Sequence, residues 1–157
     1  VGPDTTRTTV GLTLGGRRIT TLRHRSRGVM APSLISAGAM AKAAIVILAG
    51  NDSHADHGRL VNALEAATEF AETDGDEVKV IFDGAGTEWI PALEAEDGDH
   101  HDLYAPLRDH VAVCDFCATA FDVADAVTAA DVTTLDEFEG HPSVRSLVAD
   151  DYEIVTF

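Results

Sequence analysis

AAIVILA, residues 43–49, runs without a polar break into Gly50. An apolar run this short, closed by glycine, is the pattern of a strand covered on both faces, as in a parallel sheet. The loop that follows, Asn51-Asp52-Ser53-His54-Ala55-Asp56, offers Ser53 or Asp56 as a helix N-cap. Leu60, Leu64, Ala67 and Ala71 then recur at helical spacing, predicting an amphipathic helix that the turn residues Thr73-Asp74-Gly75-Asp76 stop. EVKVIF (77–82) reads as a second strand closed by Asp83-Gly84. Short helices are predicted around Trp89, Ile90 and Leu93 and over 104–110. A third strand runs over 111–113 into Cys114, a helix opens at 117–121, and a short fourth strand covers 132–135. Pro142 sits where a first helical turn tolerates its missing N–H, ahead of Val144, Leu147 and Val148, and YEIVTF (152–157) is the last strand.

Strand and helix alternating in this way over residues 40–157 predict a single doubly wound α/β domain, flavodoxin-like, with a mostly parallel sheet of about five strands. If the strand order is 2-1-3-4-5, the binding crevice lies between the carboxyl ends of strands 1 and 3. Asn51, His54, His57 and Arg59 after the first strand would then face Cys114 and Cys117 after the third.

The chain has 157 residues, 45% of them hydrophobic, and a formal charge of −16, so it is neither a membrane-spanning nor a disordered sequence in bulk. That charge repels a phosphate backbone and an anionic lipid surface, so neither nucleic acid nor membrane is an expected partner. The charge is divided. Residues 1–39 hold six Arg and one acid, Asp4, with no sustained periodicity, and read as a basic extension without a core of its own. Three origins fit it: sequence upstream of a true start at Met40, a targeting segment with a twin-arginine look at Gly16-Arg17-Arg18-Ile19, or a functional basic arm. From Met40 onward, five Lys and Arg stand against 26 Asp and Glu. Self-repulsion on that scale is tolerable when salt shortens the Debye length to about 3 Å. Such a composition suits a halophile's salt-rich cytoplasm, and makes acidic runs such as 94–102, with His100 and His101 inside one, hydration surface.

Cys114 and Cys117 are the only cysteines, which excludes a disulfide scaffold and leaves a local CxxC. A thiol between a strand end and a helix start meets free backbone N–H groups and the positive end of the helix dipole, which favour thiolate. His57 and Arg59 are further candidate stabilisers, and Asp115 opposes them. The alternative is a small buried cysteine packing the strand end. CxxC alone serves equally as a dithiol redox couple, half of a metal site, or one reactive cysteine with a passive neighbour. A zinc site would have to recruit His, because no second CxxC exists. No cofactor and no metal are expected, and the chain has neither GxGxxG nor GxxxxGK[ST].

VAVCDFCATAFDV (111–123), AIVILAGNDSH at the first strand, VIFDGAGTEWIPAL after the second and the ending HPSVRSLVADDYEIVTF together resemble the DsrE/DsrF-like family of sulfur-relay proteins. The resemblance spans most of residues 41–157 and none of 1–39. It implies a cytoplasmic protein assembling as a homo-oligomer, trimer or hexamer, whose Cys114 holds sulfane sulfur as a persulfide. Sulfur would pass between donor and acceptor proteins or small thiols, a sulfurtransferase-like activity. The role of Cys117 varies within the family. On this expectation His54 or His57 assists proton transfer and Arg59 steadies the anionic persulfide. A CxxC dithiol redox protein and a non-catalytic oligomeric module binding a small ligand are the rival classes, and Trp89 is a core or interface aromatic rather than a ligand platform.

Overall fold

Strands and helices alternate along residues 40–157, the part of the chain that the computed structural model describes. The extension read over residues 1–39 lies outside the described residues. β1 (Lys42–Ile47), β2 (Glu77–Phe82), β3 (Val111–Cys114), β4 (Thr133–Leu135) and β5 (Glu153–Thr156) form one five-stranded sheet, every pairing parallel. The α/β class and the parallel sheet are as the sequence predicts. The strand order is not 2-1-3-4-5 but β4-β3-β2-β1-β5, so β2 separates β1 from β3. The apolar runs locate strands without naming their neighbours. Here the chain steps from each strand to the next adjacent position and reverses only after β4.

Right-handed crossovers convert that order into layers. Steps in one direction put α1 (His54–Ala71), α2 (Ile90–Leu93), α3 (His101–Tyr104), α4 (Asp115–Ala120) and α5 (Ala124–Ala129) on one face. The return from β4 to β5 puts α6 (Val144–Ala149) on the other. Packing agrees. Ile45, Ile47, Val80, Phe82 and Val113 of the sheet meet Leu60, Leu64, Ile90, Leu93, Tyr104, Ala118 and Val127 of the first helical layer. The alternate residues Ala44, Val46 and Ile81 meet Leu147 of α6, with Leu135, Tyr152 and Ile154 beside them. This alternation is the period-2 pleat expressed as two cores.

α1 begins at Ser53, whose Oγ accepts the Asp56 N–H at 3.3 Å and donates to Asp56 Oδ2 at 2.5 Å, closing the first turn from both ends. Its buried stripe is Leu60, Ala63, Leu64 and Ala67. Burying each leucine contributes about 1.5–3 kcal/mol. After β2, the 3-10 turn Gly84–Trp89 comes so close to β1 that a Cβ on Gly86 would lie 2.1 Å from the Ile47 carbonyl oxygen. Only glycine permits that approach.

Candidate functional site

In a parallel sheet the binding crevice opens where connections leaving adjacent strands depart to opposite faces. In this order that point falls between β3 and β4: β3 feeds α4 on the first face, and β4 feeds α6 on the second. The reversal expected between strands 1 and 3 therefore lies between strands 3 and 4, and that position brings different residues together.

Cys114 ends β3, opposite Leu135 of β4. On its other side the register pairs Phe82 with Val113, so the next residue of β2, Asp83, comes alongside Cys114. Phe82 and Val113 point into the first core. Their successors Asp83 and Cys114 therefore turn toward the second face, where the chain returns from β4. His141 lies on that return. Its Nδ1 is 3.2 Å from Cys114 Sγ and 3.9 Å from Cys117 Sγ. Cys114 Sγ also lies 3.7 Å from the Gly140 carbonyl oxygen, and the Cys117 thiol donates to Asp83 Oδ1 at 3.1 Å. Two thiols, an imidazole and a carboxylate thus form one cluster, all four ligand atoms within 4.8 Å of one another.

Local structure fixes each member. Cys114 is the N-cap of α4, its sulfur accepting the Cys117 N–H at 3.4 Å, which brings Cys117 back over Cys114. Asp83 caps the 3-10 turn after β2 by accepting the Gly84 N–H at 2.8 Å. The Phe116 N–H donates to the Gly140 oxygen at 2.9 Å, lacing the β3–α4 junction to the His141 loop. Phe138 and His141 exchange a pair of backbone hydrogen bonds, each 2.9 Å, and the Phe116 ring lies 4.7 Å from the imidazole. Gly140 adopts φ +85°, the left-handed conformation that this tight loop requires.

The electrostatics differ from the expected open thiolate. Cys114 is 0% exposed and Cys117 7%, while Asp83 and His141 are half-buried. Burial pushes the Cys114 thiol well above its ordinary value, the Cys117 N–H pulling the other way and the Asp83 carboxylate adding to the rise. Cys117 is raised as well, first by burial and then by Asp83, with Cys114 and the Gly84 backbone opposing. A helix of six residues carries too little dipole to reverse this. Both thiols are free.

The structure brings Cys114 and Cys117 together, and it occupies Asn51, His54, His57 and Arg59 elsewhere. Asn51 Nδ2 donates to the Glu88 oxygen at 3.3 Å, and Arg59 pairs with Asp56 at 2.6 Å. His54 is exposed at the start of α1. His57 Nδ1 is 3.3 Å from His100 Nε2, and its ring meets the edge of Trp89 at 4.7 Å. No hydrogen bond or ion pair links these four to either thiol, because β2 lies between their strand and β3. Trp89 is a core residue, 2% exposed, its indole N–H donating to the Ala49 oxygen at 3.0 Å. His100 and His101 are half-buried and partnered rather than mere hydration surface, His101 Nδ1 lying 2.7 Å from the Leu93 oxygen. Asp83 and His141 are the site residues that sequence reasoning passed over. Each closes a strand or follows one, as Cys114 does, and that position was their signal.

A cavity of about 450 Å³ lies on the second face, lined by residues including Lys79, Ile81, Ala112, Leu135 and Leu147. None of the four clustered side chains lines it. Among the described residues no helix is long and apolar enough to cross a membrane.

No protein-family model matches the chain. It is 29% identical, over 96 residues, to the uncharacterized protein MJ0733 of Methanocaldococcus jannaschii, an alignment covering 61% of this chain and 78% of that one. Among solved structures it is similar to the conserved protein of unknown function BT1422 from Bacteroides thetaiotaomicron, with a TM-score of 0.44 and 14% identity over 73% of this chain and 94% of that one.

Proposed function

We propose that the chain is a sulfur carrier, holding and passing sulfane sulfur as a persulfide on Cys114, as its resemblance to the DsrE/DsrF-like proteins implies. The observation that carries this reading is the 3.2 Å approach of His141 Nδ1 to the Cys114 sulfur. A buried thiol whose ionisation is suppressed needs a base within hydrogen-bond reach at the moment of attack, and the imidazole is that base. His141 takes the Cys114 proton as the sulfur attacks the outer sulfur of a donor persulfide. The donor's S–S bond breaks, Cys114 gains an S–S bond, and the departing donor thiolate takes up the proton. An acceptor thiol reverses the sequence by attacking the outer sulfur on Cys114. The proton-transfer role expected of His54 or His57 thus passes to His141.

Donor and acceptor are proteins or small thiols. Phe116 and Phe138, 54% and 64% exposed, flank His141 and offer a protein partner an apolar rim. On this reading the protein works as a homo-oligomer, trimer or hexamer, in the cytoplasm of a halophile. A dithiol redox couple is the second reading, favoured by the approach of both sulfurs to one imidazole nitrogen.

Treatment with a small persulfide donor, followed by intact mass measurement, separates the two. A carrier gains one reducible sulfur atom, abolished in Cys114→Ser and kept in Cys117→Ser. Loss of two hydrogens requiring both cysteines would establish the redox couple, and absence of any sulfur adduct would overturn the carrier.

A further inference from the structure

We propose that Cys114, Cys117, His141 and Asp83 form a four-ligand site for a divalent ion of the zinc type. Tetrahedral zinc, with Zn–S near 2.3 Å and Zn–N or Zn–O of about 2.0–2.2 Å, sets its ligand atoms about 3.3–3.8 Å apart. Here Cys117–Asp83 is 3.1 Å, Cys114–His141 3.2 Å and Cys117–His141 3.9 Å, bracketing that spacing. The whole set spans no more than 4.8 Å. Closing it on an ion shortens its widest separation by no more than about 1.5 Å.

The donor chemistry selects the metal. Two sulfurs and an imidazole favour zinc or a similar borderline ion over magnesium or calcium, which take oxygen. Binding displaces the two thiol protons, and the divalent ion offsets most of the three negative charges that two thiolates and a carboxylate then carry. The sequence places two donors together in the CxxC and leaves open which distant residues complete the set. The ends of β2 and of the β4–α6 connection supply them.

Neighbouring groups hold the ligands as a metal site requires. The Cys117 N–H donates to Cys114 Sγ, the Gly84 N–H to Asp83, and the Phe116 ring rests against the imidazole. The inference does not depend on the persulfide reading, since metal binding needs only the four donors. The two nevertheless meet at Cys114: a sulfur bound to metal has its lone pair engaged, so the ion withholds it from sulfur transfer.

The test uses the reduced, metal-free full chain titrated with cobalt(II) and then zinc(II) against a chromophoric chelator. The expected result is one ion per chain, with a thiolate-to-cobalt charge-transfer band and the visible bands of tetrahedral cobalt, both erased by zinc. Cys114→Ser and Cys117→Ser should weaken the charge-transfer band, and Asp83→Asn and His141→Gln should lower affinity at least about tenfold. Zinc should also shield both thiols of the unaltered protein from alkylation, a readout that needs no variant to fold. Cobalt bound without a charge-transfer band, affinity unchanged in all four variants, or thiols alkylated equally with and without zinc would overturn the site and assign any metal to the acidic surface. Sulfur uptake by the metal-free protein is read separately by mass, so either proposal can fail alone.

Discussion

Cys114 Sγ and His141 Nδ1 lie 3.2 Å apart although 27 positions separate them in the chain, the thiol ending β3 and the imidazole following β4. The cysteine is buried and its ionisation suppressed. Its alkylation at neutral pH should therefore be slow, and the rate should climb about tenfold per pH unit from 7 to 10 without levelling. Mass-resolved alkylation kinetics of Cys117→Ser measure this directly. A plateau reached near neutrality would mean an accessible thiolate.

The same shift governs stability at alkaline pH. Unfolding returns Cys114 to the ordinary thiol value of about 8.5, whereas burial in the fold holds it higher. The unfolded chain then binds fewer protons than the folded one as pH rises past that value, so stability is full below it and falls above it. Tyr104, raised first by burial and then by its hydrogen bond to Glu94, adds a second loss above about pH 10. Urea unfolding at a series of pH values should show the decline, with a shallower slope between 9 and 10 in Cys114→Ser. An identical slope in that variant would count against the burial account.

Gly86→Ala should be among the most damaging single changes. The added Cβ would meet the Ile47 carbonyl oxygen at 2.1 Å, and the contacted atom is strand backbone rather than a yielding side chain. A loss of about 3 kcal/mol or more is expected in denaturant unfolding, whereas Gly58→Ala, exposed within α1 and meeting nothing within 4 Å, should stabilise by up to about 1 kcal/mol. Equal effects would show that β1 and the Gly84–Trp89 turn are not locked together.

Salt should stabilise the fold. Residues 40–157 carry 26 acids and five Lys and Arg, and three ion pairs are formed among the described residues, by Lys42, Arg59 and Arg108. Screening acts mainly on the repulsion that remains. The thermal midpoint should rise steadily from dilute buffer to molar KCl. Indifference to KCl would contradict this.

Much of the fold was legible because strands and helices announce themselves locally. AAIVILA, EVKVIF and the Leu60–Leu64 stripe occupy the elements their patterns predict. Strand order is not local. It depends on which edge each crossover adds to, and no run of residues states that, so the topological reversal lies between strands 3 and 4 rather than between strands 1 and 3. Cys114 was identifiable from its place between strand and helix. Asp83 and His141 were visible in the same terms, one closing the second strand and one ahead of Pro142, but only the order β4-β3-β2 makes them neighbours of that cysteine. His57 was drawn in by the assumed order, and in the structure it packs on Trp89 and His100 instead.

The most direct test of sulfur carriage follows the initial rate at which a persulfide donor places sulfur on Cys114, located by peptide mass, in the unaltered chain, His141→Gln and His57→Gln. His141→Gln should slow uptake at least about tenfold and His57→Gln should leave it unchanged. Uptake that survives His141→Gln but disappears in His57→Gln, or sulfur found away from Cys114, would contradict the account.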